Sequence, residues 1–308
     1  MRLVRVAGRL VAQTATALLA GGLTVRLTIG DSVPGLAAIY YATPWAILTA
    51  MGIFPAMLWA HRRRWVPVLG FVVVSLLCGV AWVRTSFKRT PAAVASLRVA
   101  YWNVGRPDEG LGAVLDLVHG INAHIFGFGE TRVKKSTGPQ HPAWKDRQPD
   151  KNTLALRRGM LLATPEPASQ LHDGFLNDRG QYALTETLLS GRKIFVLMVD
   201  FDAIVSWSRK PAFDRLIELI DSIGDEPLVV MGDFNTPSDS SYFPPLRTRL
   251  RSAFEDAGSG YAHTWPMPLP VLDLDQIWVS HHFKIVGAEH RTSFLSDHRP
   301  IIADLELK

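Results

Sequence analysis

Pro227-Leu228-Val229-Val230-Met231-Gly232-Asp233-Phe234-Asn235 is an apolar run that gives way to two polar side chains two positions apart. Its length, its β-branched residues and the Gly-Asp that ends it read as a buried strand running into a turn. Side chains alternate along a strand, so Asp233 and Asn235 point the same way if the segment stays extended. Asp before Asn at a strand end is often only a turn pair. The rest of the chain decides whether it is more.

Working outward, the same design recurs. LRVAYWNV (97–104) is strand-like and ends in a polar turn, and AHIFGFGE (123–130) ends in an acid. KIFVLMV (193–199) is a nearly continuous apolar strand; LDQIWVS (274–280) and RPIIADLEL (299–307) are the last two. Gly112–Gly120 has helical spacing. Lys210–Ile223 is an amphipathic helix with Phe213, Leu216, Ile217 and Ile220 on one face. Strands outnumber helices, and the polar residues that look functional fall where strands end, where a rigid scaffold presents chemistry. Residues 134–152 are polar and poor in apolar anchors, which reads as a mobile surface loop.

Five short motifs stand in chain order: Tyr101-Trp102-Asn103-Val104-Gly105, Gly127-Phe128-Gly129-Glu130-Thr131, Gly232-Asp233-Phe234-Asn235, Leu274-Asp275-Gln276-Ile277 and Ser296-Asp297-His298-Arg299-Pro300. Together they resemble the endonuclease/exonuclease/phosphatase (DNase I-like) superfamily over residues 97–308. The resemblance implies an α+β fold, a four-layered α/β sandwich of two packed, mostly antiparallel sheets with the site at their rim. It implies Mg²⁺ (or Mn²⁺) as cofactor, with Glu130 as metal ligand, Asn103 beside it and Asp297 completing the metal environment. It also implies that Asp233 orients or deprotonates the attacking water and that Asn235 donates to the phosphate. His298 would contact the phosphate, with Asp275 fixing its tautomer. The chemistry is sound in itself: a phosphoester needs a hard cation, and Mg²⁺ takes only one or two carboxylates from a protein.

One position departs from the family. The strand before GDFN commonly ends there in a histidine that contacts the phosphate; here Val196-Leu197-Met198-Val199 runs into Asp200. An acid offers no positive charge to the transition state, and donates a proton only if its pKa is raised by burial or a neighbouring carboxylate. Arg132, just after Glu130, or Arg209 is the candidate for the missing charge. His119, His124, His141, His172, His263, His281, His282 and His290 match no motif and read as surface or structural.

The first ninety residues are of another kind. Gly35–Ala60 and Trp65–Val83 contain no charge, and each has the ~20 residues that cross a bilayer as a helix. Leu10–Val25 is a weaker third run, for which a cleaved signal peptide is the competing reading. The expected organisation is a membrane anchor with about three transmembrane helices over 1–90, a linker over 91–96 and the catalytic domain over 97–308. Arg2, Arg5, Arg9 and Arg62–Arg64 assign their ends to the cytoplasm. An odd number of spans then makes this a multi-pass protein of the cell membrane with an extracytoplasmic catalytic domain. Arg84, Lys88 and Arg89 argue mildly the other way. Three spans ahead of such a domain are similar to a bacterial group that includes the VanJ-type teicoplanin-resistance proteins.

Charge narrows the partners. The formal net charge is +5, but residues 1–95 hold ten Lys and Arg against the single acid Asp31, leaving 23 basic and 27 acidic residues beyond them, a net of −4. A net-acidic catalytic half is a poor electrostatic footprint for a duplex backbone, so nucleic acid is the weaker expectation. The single cysteine, Cys78, lies in an apolar run and excludes an intrachain disulfide. The expected activity is hydrolysis of a phosphoester or pyrophosphate on a phosphorylated lipid or cell-envelope intermediate, among membrane lipids. An extracytoplasmic nuclease and a non-catalytic binding descendant of the fold stay open, as does the oligomeric state.

Overall fold

The structure is a computed structural model and describes residues 2–61, 63–91, 95–105, 111–132 and 150–308. Arg62 and most of the polar stretch 134–152 lie outside the described residues. The chain divides into two compact units, Met1–Phe87 with Ile204–Ser208, and Lys88–Ala203 with Arg209–Lys308.

In the first unit α1 (Arg2–Thr24) runs into a π-helical turn (Val25–Ile29) and is followed by α2 (Pro34–Ala42), α3 (Trp45–His61) and α4 (Trp65–Ser86). Two helical stretches, Val6–Ile29 and Trp65–Ser86, are long and apolar enough to cross a membrane; only 22% and 11% of their most apolar windows are buried within the protein. The rest is apolar surface that a soluble domain does not leave bare. The second apolar run differs from the expected single helix. It is two helices, α2 and α3, bent by 69°. The cause is local: Thr43 precedes Pro44 and leaves the helical region, at φ −122° and ψ 54°. The carbonyls freed at the break are taken up by Arg26, whose guanidinium donates to Thr43 O (2.9 Å) and Tyr40 O (3.4 Å).

The second unit carries all but the first residue of β1 (Phe87–Arg89), then β2 (Leu97–Asn103), α5 (Leu111–Ile121), β3 (Ile125–Gly129), β4 (Asn152–Ala155), β5 (Leu161–Thr164), β6 (Ser169–Phe175), β7 (Gln181–Leu189) and β8 (Arg192–Asp200). Then come α6 (Lys210–Ile223), β9 (Leu228–Asp233), α7 (Pro244–Arg247), β10 (Arg251–Ser252), α8 (Ala253–Ala257), β11 (Gly258–Tyr261), β12 (Asp275–Val279), β13 (Phe283–His290) and β14 (Ile301–Leu307). They build an eight-stranded sheet, β1-β11-β13-β14-β2-β3-β5-β4, and a six-stranded one, β10-β12-β9-β8-β7-β6. Both sheets are mixed: β2/β3, β8/β9 and β11/β13 are parallel. Strand β1 falls within the stretch that the sequence assigns to the anchor; three residues, Phe87-Lys88-Arg89, carry no pattern to reveal a strand.

Period-two alternation makes the layers. Leu97, Val99 and Tyr101 of β2 share a core with Val196 and Met198 of β8, Val229 and Met231 of β9, and Ile277 and Val279 of β12, which is the space between the sheets. The alternate residues face outward. Ala100, Trp102 and Phe128 meet Val114, Leu115 and Val118 of α5, while Leu197, Val230 and Trp278 meet Phe213, Leu216 and Ile220 of α6. Each such Val, Leu, Ile, Phe or Met side chain contributes about 1.5–3 kcal/mol when fully buried. The resulting order is helix, sheet, sheet, helix, as in DNase I-like folds.

Candidate active site

Continuing the inward-facing rows by one step places the site. After Leu97, Val99 and Tyr101 comes Asn103; after Val196 and Met198 comes Asp200; after Val229 and Met231 comes Asp233; and Asp275 precedes Ile277 on the antiparallel β12. Registers align three of them side by side, with Asp200 opposite Asp233 and Asp233 opposite Asp275. Four strands thus deliver polar groups to one rim of the inter-sheet core.

His298 reaches the same point from the loop before β14. Its backbone is pinned by Ser296, whose hydroxyl accepts from His298 N (3.1 Å) and donates to Asn103 O (2.8 Å), and by the Trp102 indole, which donates to His298 O (2.9 Å). His298 Nδ1 lies 2.8 Å from Asp275 Oδ2, and Nε2 lies 3.9 Å from Asp233 Oδ2. Asp233, Asp275 and His298 are all buried, with one polar atom of each inside a 4.8 Å cluster. Thr264 holds the start of β12, its hydroxyl accepting from Leu274 N and Asp275 N.

Burial, and then the charge of Asp275, pushes Asp233 up to about 8. For His298 burial works against the charged form, but the charge and hydrogen bond of Asp275, with Asp233 and Asp297 behind them, prevail and raise it to about 10. His298 is therefore an imidazolium near neutrality, held between two acids, and brings positive charge to a site whose strand lacks the expected histidine.

The other expected residues are placed unevenly. Glu130 stands beside the trio through Asn103, whose amide nitrogen donates to Asp233 Oδ2 (3.0 Å) and reaches Glu130 Oε1 (3.4 Å). The amide oxygen of Asn103 accepts from Gly105 N instead (3.0 Å). Asn235 also has its backbone N–H on Asp233 Oδ1 (2.8 Å) and its side-chain amide on Phe201 O (2.8 Å). Asp200 accepts from Gln181 (2.8 Å). Asp297 is exposed, and its carboxylate meets the Trp265 indole (3.1 Å) outside the buried trio. Arg209 is 2% exposed, and its guanidinium donates to the carbonyls of Asp202 and Asn235. It braces the Asn235 loop. Arg132 is exposed, two residues beyond Glu130.

Backbone strain gathers here as well. Glu130, Arg132 and Asn235 hold φ of 54°, 56° and 45°. Non-glycine residues reach the left-handed region at a cost that surrounding structure must offset, and such residues cluster at functional sites.

Two contributors had no role in the sequence reading. Gln181 holds Asp200; its only local signal is a polar residue opening an apolar strand. Tyr101 lies inside a motif, fully buried, with a hydroxyl that has no partner among the described residues and that the charges of Asp233, Asp275, Asp200 and Glu130 help to keep protonated, after burial itself. Gly129 leaves the room for it: a Cβ there would stand 2.3 Å from the phenol oxygen.

The donor set fits a hard divalent cation. Carboxylates crowd the rim, Asp275 Oδ1 is buried without a partner among the described residues, and repulsion from Asp275 adds to burial in raising Asp233. Oxygen ligands with surplus negative charge suit Mg²⁺ or Mn²⁺.

Known proteins share the family pattern and the fold. The family model described as "Endonuclease/Exonuclease/phosphatase family" matches residues 100–298. Among solved structures, the endonuclease/exonuclease/phosphatase from Bacteroides vulgatus superposes with a TM-score of 0.56 at 19% identity, covering 69% of this chain and 99% of that one. The mannosyl-6-phosphatase Bt3783 of Bacteroides thetaiotaomicron gives 0.54 at 15%, covering 68% and 99%. The 3′ phosphatase NExo from Neisseria, bound to a product DNA hairpin, gives 0.52 at 17%, covering 68% and 98%. At these identities the likeness is one of fold. No curated protein matches by sequence.

Proposed function

Since the chain belongs to the endonuclease/exonuclease/phosphatase family, whose members are hydrolases of phosphoester bonds, we propose that it is a metal-dependent phosphoesterase acting on a lipid-linked phosphate or pyrophosphate at the outer face of the cytoplasmic membrane. The buried Asp233–Asp275–His298 cluster carries this reading. It supplies a base, an orienter and a cation in one place, where a decayed site would have lost some of them.

In the proposed reaction Asp233, raised by its surroundings, takes a proton from the attacking water, a role suited to a base poised near neutrality. Asn235 steadies the loop and offers its remaining amide hydrogen to the phosphate. His298, kept charged and in one tautomer by Asp275, balances the developing phosphate charge. Glu130, with Asn103 and Asp297, would hold Mg²⁺ or Mn²⁺, which when bound neutralises the phosphate as a Lewis acid.

The lipid assignment rests on the two apolar helices, on the net −4 of residues 96–308, which gives no broad field to collect nucleic acid, and on the likeness of the anchor-plus-domain arrangement to the VanJ-type group. Phosphate release by detergent-purified protein tests it, over polyprenyl phosphates, polyprenyl pyrophosphates, phosphoinositides and DNA. Lipid-linked phosphate in mixed micelles should be hydrolysed faster than plasmid or single-stranded DNA at equal phosphate concentration. Metal-dependent nicking of plasmid with no release from any lipid would promote the nuclease reading, and no turnover at all the non-catalytic one.

The two arginines should separate. Arg132→Ala should lower kcat by roughly 10²-fold, as for other preorganised donors. Arg209→Ala leaves two carbonyls without their buried donor and should lower Tm more than kcat. Melting curves and kcat measured on both variants check this; an unchanged kcat in Arg132→Ala would leave His298 and the metal to carry the charge.

A further inference from the structure

At the end of the six-stranded sheet away from the active site, the connection before β9 and the turn between β12 and β13 bring Asp225, His281 and His282 together. Both imidazole Nε2 atoms stand 3.5 Å from the same oxygen, Asp225 Oδ1. That is too long for an ordinary hydrogen bond, which falls at about 2.7–3.2 Å. It is the length of a tetrahedron's edge: ligands bound at about 2.0–2.2 Å around a zinc ion stand roughly 3.3–3.6 Å apart. The two rings lie with centroids 4.1 Å apart and an interplanar angle of 35°.

The hydrogen bonds behind His282 set which nitrogen is available. The buried Ser280 hydroxyl donates to Glu226 O (3.2 Å) and accepts from Leu228 N (3.0 Å). Its single proton is thereby committed, so the 3.3 Å contact with His282 Nδ1 is one in which Nδ1–H donates. This tautomer leaves Nε2 unprotonated, 3.5 Å from Asp225 Oδ1, and a hydrogen bond from the other ring nitrogen is what orients metal-ligating histidines. Lys308 N donates to His282 O (2.9 Å) and fixes the backbone of the turn.

We propose that Asp225, His281 and His282 form a second metal site, selective for Zn²⁺ or a similar borderline transition-metal cation, which clips the α6–β9 connection to the β12–β13 turn. Two imidazoles and one carboxylate suit such ions, whereas Mg²⁺ takes oxygen ligands. Three protein ligands leave a fourth position for water. The site is separate from the catalytic rim. Asp225 precedes the first residue of β9 and Asp233 is its last, so the six-residue strand, about 17 Å at ~3.3 Å per step, lies between them.

Zn²⁺ titration of the detergent-purified full chain against a chromophoric chelator tests this, using an affinity tag without histidines. We expect one equivalent that survives Asp233→Asn. Affinity should fall at least about 10-fold in His281→Ala, in His282→Ala and in Asp225→Ala. His281 and Asp225 are 70% and 80% exposed, so their variants should fold. Ser280→Ala should weaken binding without removing a ligand. Wild-type Zn²⁺ binding in all three ligand variants, or its loss in Asp233→Asn alone, would overturn the proposal.

Discussion

Asp233→Asn and Glu130→Gln are each expected to lower kcat/KM by about 10²–10³-fold while the protein stays folded. Each swap keeps the shape and removes the charge. Asparagine at 233 cannot take a proton from water, and glutamine at 130 cannot supply the charge a hard cation requires. Folding should respond differently. Asp233 is an acid raised to about 8, by burial first and then by Asp275. An acid raised in the folded state weakens stability as pH climbs from its unfolded value, near 4, through its folded one. The neutral amide escapes that loss, and Tm of Asp233→Asn near pH 8 should equal or exceed wild type. Steady-state kinetics alongside melting curves separate the two effects. More than about a tenth of wild-type kcat/KM in both variants would sink the assigned roles.

Gly232→Ala is expected to be the most destabilising single-methyl change in the catalytic unit. Gly232 pairs with Val199 across the parallel β8–β9 ladder. A Cβ there would stand 1.9 Å from Val199 O and 2.7 Å from Val199 C. These are backbone atoms, and they move only if the ladder that aligns Asp200 with Asp233 moves with them. Overpacking a core costs about 1–3 kcal/mol where side chains can yield; here about 3 kcal/mol or more is expected. For a unit of this size that lowers Tm by roughly 6–12 °C. Activity should fall too, because the shift is applied one residue from Asp233. A wild-type melting curve for Gly232→Ala would mean that β9 tolerates displacement from β8.

The strands that carry the site were legible because each joins an apolar run to a polar end. Leu97–Asn103, Ile125–Gly129, Arg192–Asp200, Leu228–Asp233, Asp275–Val279 and Ile301–Leu307 fall where the apolar runs lie. Strands β1, β4, β5, β6, β7, β10, β11 and β13 were not. Ser169–Phe175 is mostly exposed at the sheet edge and has too few buried residues to impose a pattern. What no local reading supplies is register. That Asp233 lies between Asp200 and Asp275 depends on pairings across tens of residues. The role of Gln181, the commitment of Arg209 to carbonyls and the burial of the Tyr101 hydroxyl all follow from those pairings. The N-terminal helical unit shows the converse: hydropathy marked the apolar runs, but the restraint of Pro44 on Thr43 broke one of them.

That break turns the topology into a question of parity. If α2 and α3 traverse the bilayer as one bent element, the chain passes three times and the phosphoesterase emerges opposite Arg2, Arg5 and Arg9. If the pair dips in and returns, it passes twice and comes back to their side. The proposed function takes the odd count. On that proposal, whether the proline-broken pair crosses would decide which of two unmixed pools of phosphate esters the active site meets.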